Sequence, residues 1–174
     1  VTLTKDSIEI CDIDGAEVVK ELQHADWDVE AAEKGGYEHF MLKEIHEQPK
    51  AVADTLRGRI SNGKNVKFDG FDVESVTSFE KICIVACGTA MHAGLMGRCF
   101  IERLARMPVT VEIASEFRYR NPILSPDEPI LLLSQSGETA DTLAALRLAR
   151  ANGIPTAAIV SVIGSSVARE ADAA

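Results

Sequence analysis

Ile130-Leu131-Leu132-Leu133-Ser134-Gln135-Ser136-Gly137-Glu138-Thr139 carries an unbroken aliphatic run straight into a cluster of hydroxyls around one glycine. Consecutive aliphatic side chains leave no polar face, the pattern of a strand buried on both sides. Three similar short runs, at 81–86, 109–113 and 155–161, join the one at 129–133 as strand candidates. Helical patterns separate them at 89–106, 115–120 and 139–151, the last closing on Asn152-Gly153 with Pro155 beyond, a C-terminal stop signal. Strands alternating with helices imply parallel strands joined by crossover helices, hence a three-layer α/β/α sandwich.

Upstream the pattern differs. Phe40, Met41, Ile45, Val52, Leu56 and Ile60 recur at three- and four-residue intervals, which predicts amphipathic helix. Pro49 must start a helix or kink one, so we expect two helices, 36–47 and 49–60, with Glu44 and Glu47 in solvent. S-N-G-K-N-V-K-F-D-G, 61–70, is a loop by composition. Alternation from Ser7 to Ile13, stopped by Asp14-Gly15, predicts a short strand and turn. The chain opens without an initiator Met and stops at R-E-A-D-A-A, so we expect a segment of a longer protein.

Composition removes several classes of function. The 174 residues carry 18 Lys+Arg against 27 Asp+Glu, a net charge of −9 with no basic run, which argues against nucleic acid as partner. Apolar runs such as 82–86 and 129–133 fall far short of the roughly 20 residues needed to span a bilayer, so no membrane is expected. Cys11, Cys83, Cys87 and Cys99 form no C-x-x-C pair and predict buried thiols in a reducing cytoplasm. His24, His39, His46 and His92 fit no ligand motif, so no metal is expected.

In open parallel sheets ligands sit at the carboxyl ends of strands, so the loops 86–90 and 134–139 are the informative ones. Ser134, Ser136 and Thr139 offer hydroxyl donors where a helix begins, and exposed N–H groups and the helix dipole add positive potential. That combination suits a phosphate; capping by Ser136 or Thr139 alone is the other reading. Without G-K-[ST] or G-x-G-x-x-G, ATP and NAD are poor candidates. Gly88 and Thr89 fit either a ligand contact or a tight strand-to-helix turn.

Cys87-Gly88-Thr89, the segment 111–120 (V-E-I-A-S-E-F-R-Y-R) and the segment 133–143 (L-S-Q-S-G-E-T-A-D-T-L) resemble the first sugar isomerase (SIS) domain of the glucosamine-6-phosphate synthase family. Upstream, 37–49 (Y-E-H-F-M-L-K-E-I-H-E-Q-P) resembles that family's lead-in to its isomerase half. The resemblance implies the SIS fold, with a parallel flavodoxin-like sheet that adds a fifth strand to the four legible above, behind an N-terminal helical arm. It divides the chain into 1–35, the end of a glutaminase half and linker; 36–78, the helical arm and its loop; and 79–174, the first SIS domain, expected to be truncated at its C-terminal end.

The implied activity converts fructose 6-phosphate and glutamine to glucosamine 6-phosphate and glutamate without a cofactor. The family's phosphate loop falls on Ser134, Gln135, Ser136 and Thr139, and its sugar-contacting loop on Thr89 with Cys87 and Gly88 nearby. Ala90 stands where many members carry serine, which removes one hydroxyl. The family's acid/base residues lie in a second SIS domain and C-terminal tail, so no catalytic residue is assigned here. Glu138 is expected to turn outward or pair with an arginine, and Glu116, Arg118 and Arg120 to form a solvated charged patch or a subunit contact, or to help with the sugar's negative charge. The implied partners are the glutaminase and second SIS domains and a second copy in a homodimer. A sugar-phosphate sensor and a different SIS isomerase are the alternatives.

Overall fold

The computed structural model describes residues 1–20, 33–61, 65–66 and 79–174. His24 and most of the expected loop 61–70 lie outside the described residues. Two compact units are present, Val1–Arg57 and Gly58–Ala174.

In the first unit, strands β1 (Thr2–Leu3) and β2 (Ile8–Glu9) pair antiparallel. The expected strand is therefore cut short. Asp12 is the cause: its Oδ1 accepts the N–H groups of Asp14 and Ala16, both at 2.9 Å, and starts the turn before Ile13. Gly15 completes that turn at φ +85°.

The two helices expected on either side of Pro49 are one, α1 (Phe40–Leu56). Pro49 removes one backbone donor and presses on the carbonyl of Ile45, yet the helical φ it imposes is compatible with continuing. Lys50 reaches Asp54 at 2.7 Å and Thr55 Oγ1 donates to the Ala51 carbonyl at 2.8 Å, holding the turn that follows. Met41, Ile45, Val52 and Leu56 stay in phase across the proline and remain largely exposed, so packing against the described residues does not explain the stripe. Ile60, expected in helix, instead opens β3 (Ile60–Ser61), which pairs antiparallel with β4 (Asn65–Val66).

The second unit holds four parallel strands, β5 (Ile82–Ala86), β6 (Val109–Ile113), β7 (Ile130–Ser134) and β8 (Thr156–Val160), in the order β6-β5-β7-β8. Each lies within about a residue of its expected bounds, because short runs rich in β-branched and aliphatic residues and bounded by turn signals have no competing pattern. The fifth strand is represented by one parallel bridge, Ala157 to Ala173, in the place beside β8 that the flavodoxin-like order assigns to it.

Helix α2 (Gly88–Leu104) covers one face of the sheet; α3 (Ala114–Tyr119), α4 (Ala140–Ala151) and α5 (Ser166–Glu170) cover the other. Gly94 lets α2 approach closely, since a Cβ there would lie 2.9 Å from Ile84 Cγ2. On the opposite face Val85, Leu132, Phe117, Leu146 and Val167 form the dry core. Helix α4 closes as its sequence predicts: Gly153, at φ +70°, donates to the Arg150 carbonyl and Ile154 to that of Ala149, both at 3.0 Å.

One expectation about side chains is corrected. Cys83 is buried, but Cys87 is only half-buried and Cys11 and Cys99 are exposed; Cys99 lies on the outer side of α2, where Met96 and Phe100 are also open to solvent. Burial pushes the Cys83 thiol up to about 11, which leaves it protonated and inert at neutral pH. Glu116 and Arg120 are exposed and Arg118 half-buried, the solvated charged patch expected, and both arginines are paired. Arg118 pairs with Asp141 and Arg120 with Glu112, each at 2.8 Å.

Candidate functional site

Strand β5 pairs with β6 on one side and β7 on the other, so the strand order reverses direction there. Crevices at such reversals are where α/β sheets take ligands. Because Ala86 stands beside Leu133 in register, the loops leaving β5 and β7 emerge side by side. Between them lies a cleft of about 230 Å³ lined by Cys87, Gly88, Thr89, Ser134, Gln135, Ser136 and Thr139, the full set of expected binding residues. Ala90, Leu133 and Thr142 complete the lining.

The hydroxyl chemistry favours an anion. The Gly137 N–H donates to Ser134 Oγ at 2.9 Å and the Glu138 N–H to Ser136 Oγ at 3.2 Å. Both serines therefore serve the loop as acceptors, and their own protons stay available to donate to a ligand. Thr139 occupies the N-cap of α4 and makes no side-chain cap bond; Cys87 does the same at α2. The lone-cap alternative for Thr139 is thus not what the loop adopts. Two helices of 12 and 17 residues begin at the cleft with their first-turn N–H groups uncapped by side chains.

One feature opposes an anion and is offset. Asp141, in the first turn of α4, would repel it, but Arg118 neutralises that carboxylate at 2.8 Å. No sequence signal linked these two residues; helix-to-helix packing of α3 on α4 brings them together.

The loop is held from behind by the segment after β8. Ser161 donates to the Gln135 carbonyl at 3.3 Å and Val167 to that of Gly137 at 3.0 Å. Glu138 does turn away from the cleft, but its partner is the Ser166 N–H at 2.7 Å rather than an arginine side chain. That backbone hydrogen bond holds the Glu138 carboxyl below its ordinary value, with Arg169 assisting. A depressed folded-state pKa adds stability above the unfolded value of 4.5 and loses it as pH falls through the folded value. Glu138→Gln keeps an oxygen acceptor without the charge, so its thermal midpoint is expected below wild type at neutral pH, with the gap closing on acidification past 4.5. A constant gap from neutral to acid pH would show that the charge contributes nothing.

His92, the histidine nearest Cys87 in sequence, is exposed one turn into α2 and does not line the cleft. Among the described residues, no group of three or more His, Cys, Asp or Glu is placed to hold a metal, and no helix is long and apolar enough to cross a membrane.

A parallel sheet of this order, with a hydroxyl-lined cleft at its reversal, defines an open α/β domain with a ligand crevice at the carboxyl ends of its strands. The chain belongs to the SIS domain family, whose profile matches residues 76–174. It is 55% identical over 174 residues to the glutamine–fructose-6-phosphate aminotransferase (isomerizing) of Clostridium tetani, covering 99% of this chain and 29% of that protein. The enzyme of the same name from Caldanaerobacter subterraneus subsp. tengcongensis is 56% identical over 172 residues, covering 98% and 28%. Among solved structures, the C-terminal domain of glucosamine-fructose-6-phosphate aminotransferase from Francisella tularensis superposes with a TM-score of 0.73 at 42% identity, over 81% of this chain and 40% of that one. The chain thus spans somewhat under a third of the length of the curated relatives it matches.

Proposed function

We propose that this chain is the sugar-phosphate-binding part of the isomerase half of a glutamine-dependent fructose-6-phosphate amidotransferase that makes glucosamine 6-phosphate in the cytoplasm. One observation carries the proposal: serine hydroxyls that already accept from the loop's own N–H groups and keep their protons to donate, beside two uncapped helix N-termini, in a cleft at the sheet reversal. The names of relatives at 55–56% identity supply the particular substrate.

In this role Ser134, Gln135, Ser136 and Thr139 grip the phosphate and Thr89, with Cys87 and Gly88, touches the sugar. The phosphate anchors one end of the open-chain ketose, so its carbonyl end is presented to groups outside this chain. Ammonia released from glutamine attacks that carbonyl carbon, the carbonyl oxygen leaves as water to give the C2 imine, and removal of a proton from C1 with return of one to C2 yields the amino aldose. The shift needs a base within hydrogen-bond reach of the sugar carbon, and we assign none to this chain. Residues 1–35 then belong to the end of a glutaminase half and its linker, 36–78 to a helical arm, and 79–174 to the first SIS domain, with a second SIS domain and a second copy as partners. By itself the chain binds and does not turn over.

The test is a thermal and calorimetric titration of the full-length gene product with fructose 6-phosphate, with fructose and inorganic phosphate as controls. At about a hundred times its Kd, ligand adds about 2.7 kcal/mol of apparent stability. Ser136→Ala removes one hydrogen bond to a charged group, about 1.5–3 kcal/mol, and is expected to weaken binding about ten- to hundredfold. Stabilisation by fructose equal to that by fructose 6-phosphate, or none by either, would overturn the proposal.

A further inference from the structure

Thr142 is not part of the phosphate motif expected from the sequence, yet it lines the cleft. It is 1% exposed, and its Oγ1 is buried without a hydrogen-bond partner among the described residues. A threonine within a helix ordinarily donates to the carbonyl four residues back; here that is Glu138, and the bond is not made. The start of α4 carries two such hydroxyls, Thr139 and Thr142, one turn apart, and neither is spent on the helix.

A buried hydroxyl without a partner is costly, and native structures keep few of them unless a ligand or water completes them. Ser165 Oγ is the comparable case nearby, but it lies against Gly137 behind the loop and does not line the cleft. Thr142 differs because it lines the cleft in the first turn of α4, whose N-cap makes no side-chain hydrogen bond to the first-turn N–H groups.

We infer that Thr142 is a further ligand-binding residue of this cleft, donating its hydroxyl proton to the innermost oxygen of the bound phosphate. The inference rests on the phosphate reading above and deepens it. It makes the floor of the site a donor, so the site favours groups with acceptor oxygens on every side, as a phosphate monoester has. Thr142 acts at the phosphate, so its loss is felt equally by fructose 6-phosphate and by inorganic phosphate, whereas a residue that reads the sugar would affect only the former.

The experiment compares wild type, Thr142→Val, Thr142→Ser and Thr142→Ala in the full-length gene product, with fructose 6-phosphate and inorganic phosphate as probes in calorimetry and thermal unfolding. Thr142→Val is expected to unfold, without ligand, at the same temperature as wild type or higher, because it deletes an unpartnered hydroxyl while keeping the side chain's shape. It is expected to bind both probes about tenfold more weakly or worse. Thr142→Ser should stay within about twofold of wild type, and Thr142→Ala should resemble Thr142→Val; these two differ by the hydroxyl alone and decide the matter if the valine variant does not fold. Equal loss in the serine and alanine variants would mean that the methyl group's packing matters, and would overturn the inference. So would unchanged affinity in Thr142→Val or Thr142→Ala while wild type binds. If wild type itself binds neither probe, the phosphate reading fails and this inference with it.

Discussion

Gly137→Ala is expected to destabilise the folded chain by about 2–5 kcal/mol and to remove phosphate binding. Two costs add. At φ +68° any side chain is strained, and the new Cβ would fall within the van der Waals envelope of the Ser165 Cβ and Oγ. Neither neighbour can retreat easily. The Gly137 carbonyl accepts from Val167 at 3.0 Å, and Ser165 begins α5, whose Val167 side chain is fully buried. For a chain of 174 residues the thermal midpoint should fall by about 5–15 °C. Gly88→Ala provides the contrast, because its φ of +55° carries the backbone cost but no atom lies within 4 Å of the new Cβ. Adding Ser165→Gly to Gly137→Ala should recover the steric part of the loss. A double variant no more stable than Gly137→Ala would show that the overlap with Ser165 is not what destabilises it.

Phe117→Ala is expected to cost about 3–5 kcal/mol, read as a lower urea midpoint at unchanged denaturant slope. Phe117 is 2% exposed and is the largest side chain in the fully buried set. Helix α3 has only six residues, too few to persist without tertiary contacts. The consequence reaches the cleft through Arg118, the next residue, which holds the Asp141 carboxylate at the start of α4. Once α3 is loosened, Asp141 opposes the anion, so phosphate affinity should fall together with stability. Tyr119→Ala, at a position 76% exposed, should change stability by less than about 1 kcal/mol. Equal losses at the two positions would mean that Phe117 does not anchor the helix.

Features that depend on neighbours within a few residues were legible in the sequence. Strands β5, β7 and β8 follow from short, largely apolar runs, the edge strand β6 from the alternation V-T-V-E-I, and α4 from its periodicity and its Asn152-Gly153 stop. The cleft's residue types were legible for the same reason, since Ser134 to Thr139 occupy one short loop. Pro49 misled because a single residue's average preference outweighed a stripe that stayed in phase across it. That Glu138 turns outward is legible in the sequence, but its partner, a backbone N–H 28 residues away, is not. Thr142 went unnoticed because a threonine in a helix is ordinary until burial and the lack of a partner are known.

The sequence by itself determined which segments are strands and helices and which loop carries the hydroxyls, because hydrophobic period, turn chemistry and cap signals act over less than about two helical turns. Only the tertiary structure decided that the loop after Ala86 and the loop after Leu133 share one cleft, that Arg118 cancels Asp141, and that Gly137 has no room for a methyl group. Those outcomes depend on strand order and helix packing between residues tens of positions apart, where burial and excluded volume choose among pairings that local pattern leaves equivalent.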